Sequence, residues 1–443
     1  MNAGGPPGVL ACWTAREHRR VLAHLVASLG LQHLAVAEDA LQIALLRALQ
    51  RWPLDGEPAH PAGWLYVVAR RAALDQLRAQ APLQPWPENE QGEPLEPVRE
   101  ASLAATVATP ADAGRFDGEL HDEELALLFA ACHPALPQAT QVALALRTMA
   151  AFQLPELASA LLSTPAAVAQ RLSRARAQLA GLSLDVPAGP ELPPRRDSVL
   201  TVLSLMFLCG QRGSGPATSP STAAAPAPAV TAEPADAARP ACWEAIRLAR
   251  ALAAHAATAH PDADALAAML LLHGARLTGR LDEAGDIVPL PGQPRDRWDR
   301  GMIAMGLRHL QASQRAQQLS RWHLQAGIAA ELAAAPCYEA TDWKAIARYY
   351  ALLVQADPSA APRLAQAIAQ VESGEAASGL ERLQALLPGV PDALRAHTLA
   401  AMARALEQLQ RLPEARARLQ DALAAAPREA DRRLLQRRLD SLR

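Results

Sequence analysis

Helical periodicity runs through most of this sequence and restricts its fold more than any other feature. Alanine and leucine, both strong helix formers, supply much of the apolar content and recur at intervals of three and four residues. Aromatic residues make up only 4% of the 443 residues, and β-branched runs, which favour strands, are scarce. Apolar residues amount to 50% of the chain, enough to bury the cores of several domains. The sequence therefore predicts an all-α protein with two to four domains.

The charge and the cysteine content exclude several classes of protein. The formal net charge of −2 excludes a protein coated with basic residues, although a local basic face remains compatible with it. The five cysteines are scattered, odd in number and without a C-x-x-C pair, which argues against a disulfide framework and a zinc site. We find no signal peptide and no apolar run long enough to cross a bilayer. We expect a cytoplasmic protein with no membrane partner, metal or cofactor.

Proline-rich stretches divide the helical segments. Residues 81–118 are rich in Pro and Glu and lack periodicity, which predicts a flexible linker. An Ala/Pro/Ser/Thr run at 214–241 predicts a disordered insertion. The domains predicted from these boundaries cover residues 13–80, 119–183 and 190–443.

Two similar segments in the third domain suggest repeated helical hairpins. Residues 375–388 and 414–427 each carry small residues, then leucines at helical spacing, then a proline. The prolines lie 39 residues apart, a looser spacing than the tetratricopeptide period of about 34. We therefore predict a tetratricopeptide-like array of α-helical hairpins that ends in an arginine-rich helix.

A short segment in the second domain has the pattern of two helices joined by a tight turn. Helices are predicted at 155–162 and 165–181, with Thr164 as the N-cap of the second and Pro165 at its first position. At 100° per residue, one stripe of the second helix is apolar and predicted to be buried: Val168, Leu172, Ala175 and Leu179.

The opposite face of that second helix is basic. It carries Gln170, Arg171 and Arg174, with Arg176 flanking the apolar stripe, and no acidic residue occurs from Ala166 to Leu182. Arginine and glutamine pair with base edges and phosphates, and the second helix of a helix-turn-helix enters the major groove. From this stretch alone, a plain helical hairpin with a solvated basic face remains an equal alternative.

A second basic helix is predicted at residues 62–80. It begins near Trp64 and carries Arg70, Arg71 and Arg78, a combination of aromatic and basic residues that can stack unpaired bases and hold a backbone. Taken singly, the segment favours the other interpretation, in which Trp64 packs in the core and the arginines are solvated.

An acidic pair opens a helix predicted at residues 36–52 and stopped by Pro53. Glu38 and Asp39 fall in its expected first turn, and basic residues in its expected last turn. Both placements complement the helix dipole, which is the simplest explanation for them. The alternative is a contact patch for a basic partner.

Signatures of catalysis are absent from the sequence. We find no phosphate-binding loop, no G-x-S-x-G, no H-E-x-x-H and no dinucleotide fingerprint, and the histidines are dispersed. Residues 281–292 carry three carboxylates but lack calcium-loop spacing, which predicts a polar hairpin. We predict no catalytic residues, although an enzyme within the third domain remains an alternative.

The order of these segments resembles a known family. "AEDALQIALLRALQRWP", then "PAGWLYVVARRAALDQLRAQ", a linker and "CHPALPQATQVALALRTMAAFQLPELASALLSTPAAVAQRLSRARAQL" are similar to regions 2 and 4 of extracytoplasmic-function sigma factors of the sigma-70 superfamily. Residues 264–303 and the repeat-like tail resemble the subgroup with a long helical C-terminal extension.

The resemblance implies a transcription initiation factor without enzymatic activity, whose partners are core RNA polymerase and promoter DNA. An anti-sigma partner is not evident from the sequence. The resemblance implies polymerase contacts at Glu38, Asp39, Gln42 and Leu46. It implies −10 contacts at Trp64, Arg70, Arg71, Asp75 and Arg78, and −35 contacts at Ala167, Gln170, Arg171, Arg174 and Arg176. The extension is expected to regulate these activities. The remaining alternative is a helical-repeat scaffold whose helix-turn-helix is structural only.

Overall fold

The described part of the chain is all-α, as the sequence predicts. The structure is a computed structural model that describes residues 15–80, 120–150, 152, 154–161, 163–179, 186–212, 239–282, 286–426 and 429–442. The predicted linker at 81–118 lies outside these residues. So does the predicted insertion at 214–241 except its last three residues, which begin a helix. Pro240 suits that position, because the first turn of a helix needs no N–H from it.

The chain divides into two compact units, Met1–Met206 and Phe207–Arg443. The described helices of the first unit are α1 (Ala15–Leu29), α2 (Leu34–Asp55), α3 (Pro61–Gln80), α4 (Leu120–Ala131), α5 (Gln138–Met149), α6 (Leu154–Ala160) and α7 (Pro165–Gln178). The next helix, α8 (Leu192–Arg212), contains the boundary between the units. The predicted domains at 13–80 and 119–183 therefore both contribute to the first unit.

Helix α1 is the centre of the first unit. It packs against α2 and α3, and also against α4 and α5 from the far side of the predicted linker. Val21, Leu22, Leu25 and Val26 are buried along it. The helix ends at Gly30, whose φ of +91° is the left-handed conformation that favours glycine at a helix C-terminus. One helix thus joins the cores of two segments that the sequence predicts as separate domains.

Helix α2 differs from its prediction at both ends. It begins at Leu34, so Glu38 and Asp39 lie in its second turn, where the dipole effect has largely faded. It continues through Pro53 to Asp55, where the Gly56 amide donates a hydrogen bond to the Trp52 carbonyl. The predicted charge complementation at the two helix ends is therefore wrong, and the acidic pair needs another explanation.

The second unit contains hairpins of helices packed in chain order. Its described helices after α8 are α9 (Arg239–Ala254), α10 (Pro261–Gly274), α11 (Arg300–Ser313), α12 (Arg321–Ala334), α13 (Trp343–Ala356), α14 (Ala360–Glu372), α15 (Ala376–Leu386), α16 (Asp392–Gln408), α17 (Leu412–Ala425) and α18 (Glu429–Ser441). Helix α10 is apolar on nearly all sides and is buried among α9, α11 and α12.

The two similar sequence segments form α15 and α17. A Cβ on Gly379 of α15 would lie 2.5 Å from Cγ2 of Val371, so this glycine allows α14 and α15 to approach closely. The matching position in α17 is Arg418, which pairs with Asp421 at 3.0 Å. The two helices thus share a pattern but not the same packing, and their assignment to a tetratricopeptide repeat stays a prediction.

No helix in the described ranges is long and apolar enough to cross a membrane. The same part of the chain contains no group of three or more His, Cys, Asp or Glu residues placed to hold a metal ion.

Candidate nucleic-acid interface

Helix α7 forms as the sequence predicts. The Thr164 hydroxyl oxygen accepts a hydrogen bond from the Ala167 amide at 3.2 Å, and Pro165 occupies the first turn. The four predicted inward residues are all buried: Val168, Leu172, Ala175 and Leu179. They anchor α7 against α5 and α6, which fixes the direction in which its other face points.

The outward face of α7 is open and basic. Ala167, Gln170 and Arg174 are exposed, and Arg171 is half-buried. Within the described part of the chain, no hydrogen bond or ion pair holds Arg171 or Arg174. Both guanidinium groups therefore keep their donors available for an anion such as a phosphate or for a base edge.

Arg176 occupies a different environment from the other arginines of α7. Its side chain is largely buried, and its Nε atom has no hydrogen-bond partner among the described residues. Burial lowers the pKa of the Arg176 guanidinium; Glu38 and Asp39 oppose this shift, and Arg147 adds to it. The charges of the acidic pair therefore act on this arginine, which projects from a different side of α7 than Gln170.

The second predicted interface, on α3, combines a packed aromatic side chain with exposed basic ones. Trp64 is half-buried and packs edge-to-face on Trp52, with 5.5 Å between ring centroids. Arg71 is exposed, and Arg78 pairs with Asp75 at 3.4 Å across one turn on the surface. Such exposed pairs are weak and exchange readily for a phosphate partner.

Helix α2 presents an uncovered apolar stripe. Leu46 and Leu49 are 59% and 53% exposed, unusual values for leucines in the middle of a helix. Gln42 and Asp39 are exposed on the turns just before them. An apolar strip beside polar groups is typical of a protein–protein interface. Sequence reasoning identified Leu46 but not Leu49, although its spacing of three residues was the available signal.

The fourth predicted polymerase contact, Glu38, forms an ion pair within the protein. Arg147 of α5 donates from Nε to Glu38 Oε1 at 2.9 Å and from Nη2 to Oε2 at 3.0 Å. The same guanidinium donates from Nη1 to the Phe152 carbonyl at 2.9 Å. Sequence reasoning gave Arg147 no role, because no local signal reveals a partner 109 residues away.

The arginine-rich helix α18 binds the polar hairpin of the second unit. Leu281 and Ile287 form an isolated antiparallel bridge, which agrees with the predicted hairpin. Arg433 pairs with Asp286, and Arg437 pairs with Asp286 at 3.3 Å. The two described carboxylates of the hairpin, Asp282 and Asp286, therefore balance arginines.

Comparison with known proteins identifies parts of the chain. Residues 14–82, which include α1 to α3, match sigma-70 region 2. Residues 195–314 match a family of unknown function, DUF6596. The chain is 32% identical over 412 residues to an uncharacterized protein of Rhizobium meliloti (strain 1021), covering 93% of this chain and 91% of that protein. No solved structure matches the chain significantly.

The region 2 match contains the exposed stripe of α2 and the basic helix α3. The match to the rhizobial protein extends over nearly all of both units. The chain therefore belongs to the same family as this rhizobial protein, and its residues 14–82 form a match to sigma-70 region 2.

Proposed function

We propose that this protein is a transcription initiation factor of the extracytoplasmic-function type, which binds core RNA polymerase and directs it to specific promoters. The observation that carries the proposal is the sigma-70 region 2 match at residues 14–82, which supports a sigma-factor role in transcription initiation. The sigma-70 family is a non-catalytic family of transcription factors, so we assign no enzymatic reaction to the chain.

Polymerase would bind at helix α2. The exposed leucines Leu46 and Leu49 supply apolar area, and Asp39 and Gln42 supply polar contacts one and two turns earlier. Burying one leucine side chain at an interface contributes roughly 1.5–3 kcal/mol. This stripe is therefore large enough to give the complex much of its affinity.

Promoter DNA would be read by two helices. Helix α7 would enter the major groove near −35, with Arg171 and Arg174 on base edges or phosphates. Helix α3 would bind the −10 element, with the exposed Arg71 on the backbone and Trp64 near an unstacked base. The second unit would regulate these activities in the cytoplasm.

The test is transcription in vitro with purified core polymerase and genomic DNA, because it reports function and promoter sequence together. We expect defined start sites that depend on this protein. Leu46→Ser should weaken polymerase binding about tenfold, as measured by a fluorescence titration, since it removes an apolar contact of this size.

Leu319 offers a matched control, because this leucine of the second unit is 69% exposed. Leu319→Ser should leave polymerase affinity unchanged. Absence of any polymerase complex with the wild-type chain would refute the proposal. It would favour the scaffold interpretation, in which no salt-dependent, sequence-selective DNA complex forms either.

A further inference from the structure

The loop between α10 and α11 of the second unit is held together by its own hydrogen bonds. The Asp299 amide donates to the Ala275 carbonyl at 3.0 Å, so the two ends of the loop meet. Within the loop, the Val288 amide donates to the Arg280 carbonyl at 2.8 Å. The Gln293 side chain adds a third bond, from Nε2 to the Val288 carbonyl at 2.9 Å. These bonds fix the positions of the described side chains that the loop carries.

Trp298 is the buried centre of this loop. It is only 3% exposed. The guanidinium carbon of Arg295 lies 4.6 Å from the centroid of its ring, and that of Arg276 lies 5.3 Å from it. Each cation is attracted to the face of the indole, but the two cations repel each other. The loop therefore gathers positive charge around one aromatic side chain.

Hydrogen bonding distinguishes the two arginines. Arg295 donates from Nη1 to the Leu332 carbonyl at 2.7 Å, near the C-terminal end of α12, where a basic side chain is favourable. Arg276 donates from Nη2 to Gln293 Oε1 at 3.3 Å, and its Nε atom is buried with no partner among the described residues. The Trp298 Nε1 atom is also buried, and the same part of the chain supplies no acceptor for it. Two buried donors without acceptors cost stability, and a ligand with acceptor atoms would recover it.

The charge around Arg276 is positive. Burial, together with the charges of Arg280 and Arg295, lowers the pKa of the Arg276 guanidinium to about 10. Burial and the charges of Arg276 and Arg280 also lower the pKa of His273, which is neutral at pH 7. In the described part of the chain, no carboxylate forms an ion pair with Arg276. Arg276 thus keeps its charge at neutral pH in surroundings that a negative group would stabilise.

Gly279 keeps the space beside the indole N–H open. It ends the 3₁₀ turn Leu277–Gly279 that follows α10, and it is buried. A Cβ at this position would lie 3.3 Å from Trp298 Nε1 and 3.7 Å from the Pro294 carbonyl oxygen. The first distance is tighter than most contacts that a Cβ makes. An alanine would therefore crowd the donor that glycine leaves accessible.

We propose that Arg276 and Trp298, with the charge of Arg280, form a binding site for a phosphate group, either free or carried by a small molecule. Phosphate oxygens would accept from Arg276 Nε and Trp298 Nε1. A phosphate suits several arginines better than a carboxylate does, because it carries about two negative charges and more acceptor oxygens. The inference goes beyond the proposed function and does not depend on it, since it assigns a ligand to the second unit alone.

Isothermal titration of the full chain with sodium phosphate near neutral pH, at an ionic strength matched with sodium chloride, measures this site. We expect saturable binding to the wild type. Arg276→Met should weaken that binding about tenfold or more, because it removes a charged hydrogen bond. Arg297→Ala is the matched control: this exposed arginine belongs to the same loop, and its replacement should leave the affinity unchanged.

Gly279→Ala tests the same site without changing any charged group. It should weaken phosphate binding severalfold, because the added methyl crowds Trp298 Nε1. Thermal unfolding gives a second readout, since a ligand of the folded state raises the Tm. Phosphate should raise the Tm of the wild type and of Arg297→Ala more than chloride does, and Gly279→Ala should lose most of that increase. If Arg276→Met fails to fold, Gly279→Ala decides the outcome.

Titration with glycerol 3-phosphate separates the two sources of the phosphate group. Equal or tighter binding than that of inorganic phosphate shows that the site accepts a phosphorylated small molecule, and weaker binding assigns it to free phosphate. The proposal is overturned if phosphate stabilises the wild type no more than chloride does, or if Gly279→Ala binds phosphate as tightly as the wild type. It is also overturned if Arg297→Ala weakens binding as much as Arg276→Met, since the ion would then respond to surface charge alone. Neither polymerase nor DNA takes part, so these outcomes leave the proposed function untouched.

Discussion

Two arginine-rich helices of this protein look alike in sequence and differ in what their arginines bind. Helix α7 carries Arg171 and Arg174 with no partner in the described residues. Helix α18 carries four arginines that are each engaged: Arg432 with Glu429, Arg433 and Arg437 with Asp286, and Arg438 with Glu407. Arginine content therefore does not identify a nucleic-acid surface, whereas the absence of protein partners does support one.

The difference follows from what surrounds each helix. Helix α18 packs beside α17 and against the 281–287 hairpin, where carboxylates meet its basic face. Helix α7 buries its apolar stripe and much of Arg176, and leaves Gln170 and Arg174 exposed. A basic face that has been neutralised by its own chain stabilises the fold, and one left open is available to a polyanion.

The largest effect is expected from removing the unpaired arginines of α7. If α7 reads the −35 element as proposed, Arg171→Ala and Arg174→Ala should each weaken that binding by about 1–3 kcal/mol, because each would remove a contact to a base or phosphate. Filter binding at several salt concentrations would measure this. Folding and polymerase binding should be unaffected, and a loss of either would show that these arginines are structural, like those of α18.

Acid should affect the second unit through His273, near the C-terminal end of α10. Burial, helped by Arg276 and Arg280, lowers the pKa of His273 to about 3. The unfolded chain takes up a proton below about pH 6.5 and the folded chain does not, so stability is present at neutral pH and is lost as the pH falls from 6.5 towards 3.

At pH 5 the expected loss from His273 is about 2 kcal/mol relative to pH 7. Urea denaturation followed by circular dichroism at the two pH values would measure it. His273→Gln should reduce the difference between them. An equal pH dependence in wild type and variant would show that His273 is protonated in the folded state.

The smallest effect is expected from removing one of the paired arginines of α18. Arg437→Ala should lower the unfolding free energy by about 0.5–1 kcal/mol, since its pair with Asp286 is partly solvated. DNA binding should not change. Comparing Arg437→Ala with Arg174→Ala tests both helices. Weakened DNA binding in Arg437→Ala would place α18 in the DNA interface as well.

The sequence alone predicted much of the candidate site. Periodicity and cap residues located α7 and its buried stripe, because spacing and capping are local properties of the chain. Local reasoning misplaced the ends of α2, where packing of Trp52 and the Gly56 amide hydrogen bond to its carbonyl carry the helix past Pro53. The roles assigned to individual residues on α2, α3 and α7 stay predictions.

The sequence by itself determined the all-α class, the basic helices α3 and α7, and which of their residues share a face. Each of these properties depends on neighbours within a few positions of the chain. Only the tertiary structure decided which charges are paired. Glu38 meets Arg147 across 109 residues, and Arg433 meets Asp286 across 147. Such contacts depend on how separate helices pack, and no local sequence pattern shows which distant residues will meet. The open face of α7 is likewise defined by what the rest of the unit leaves uncovered.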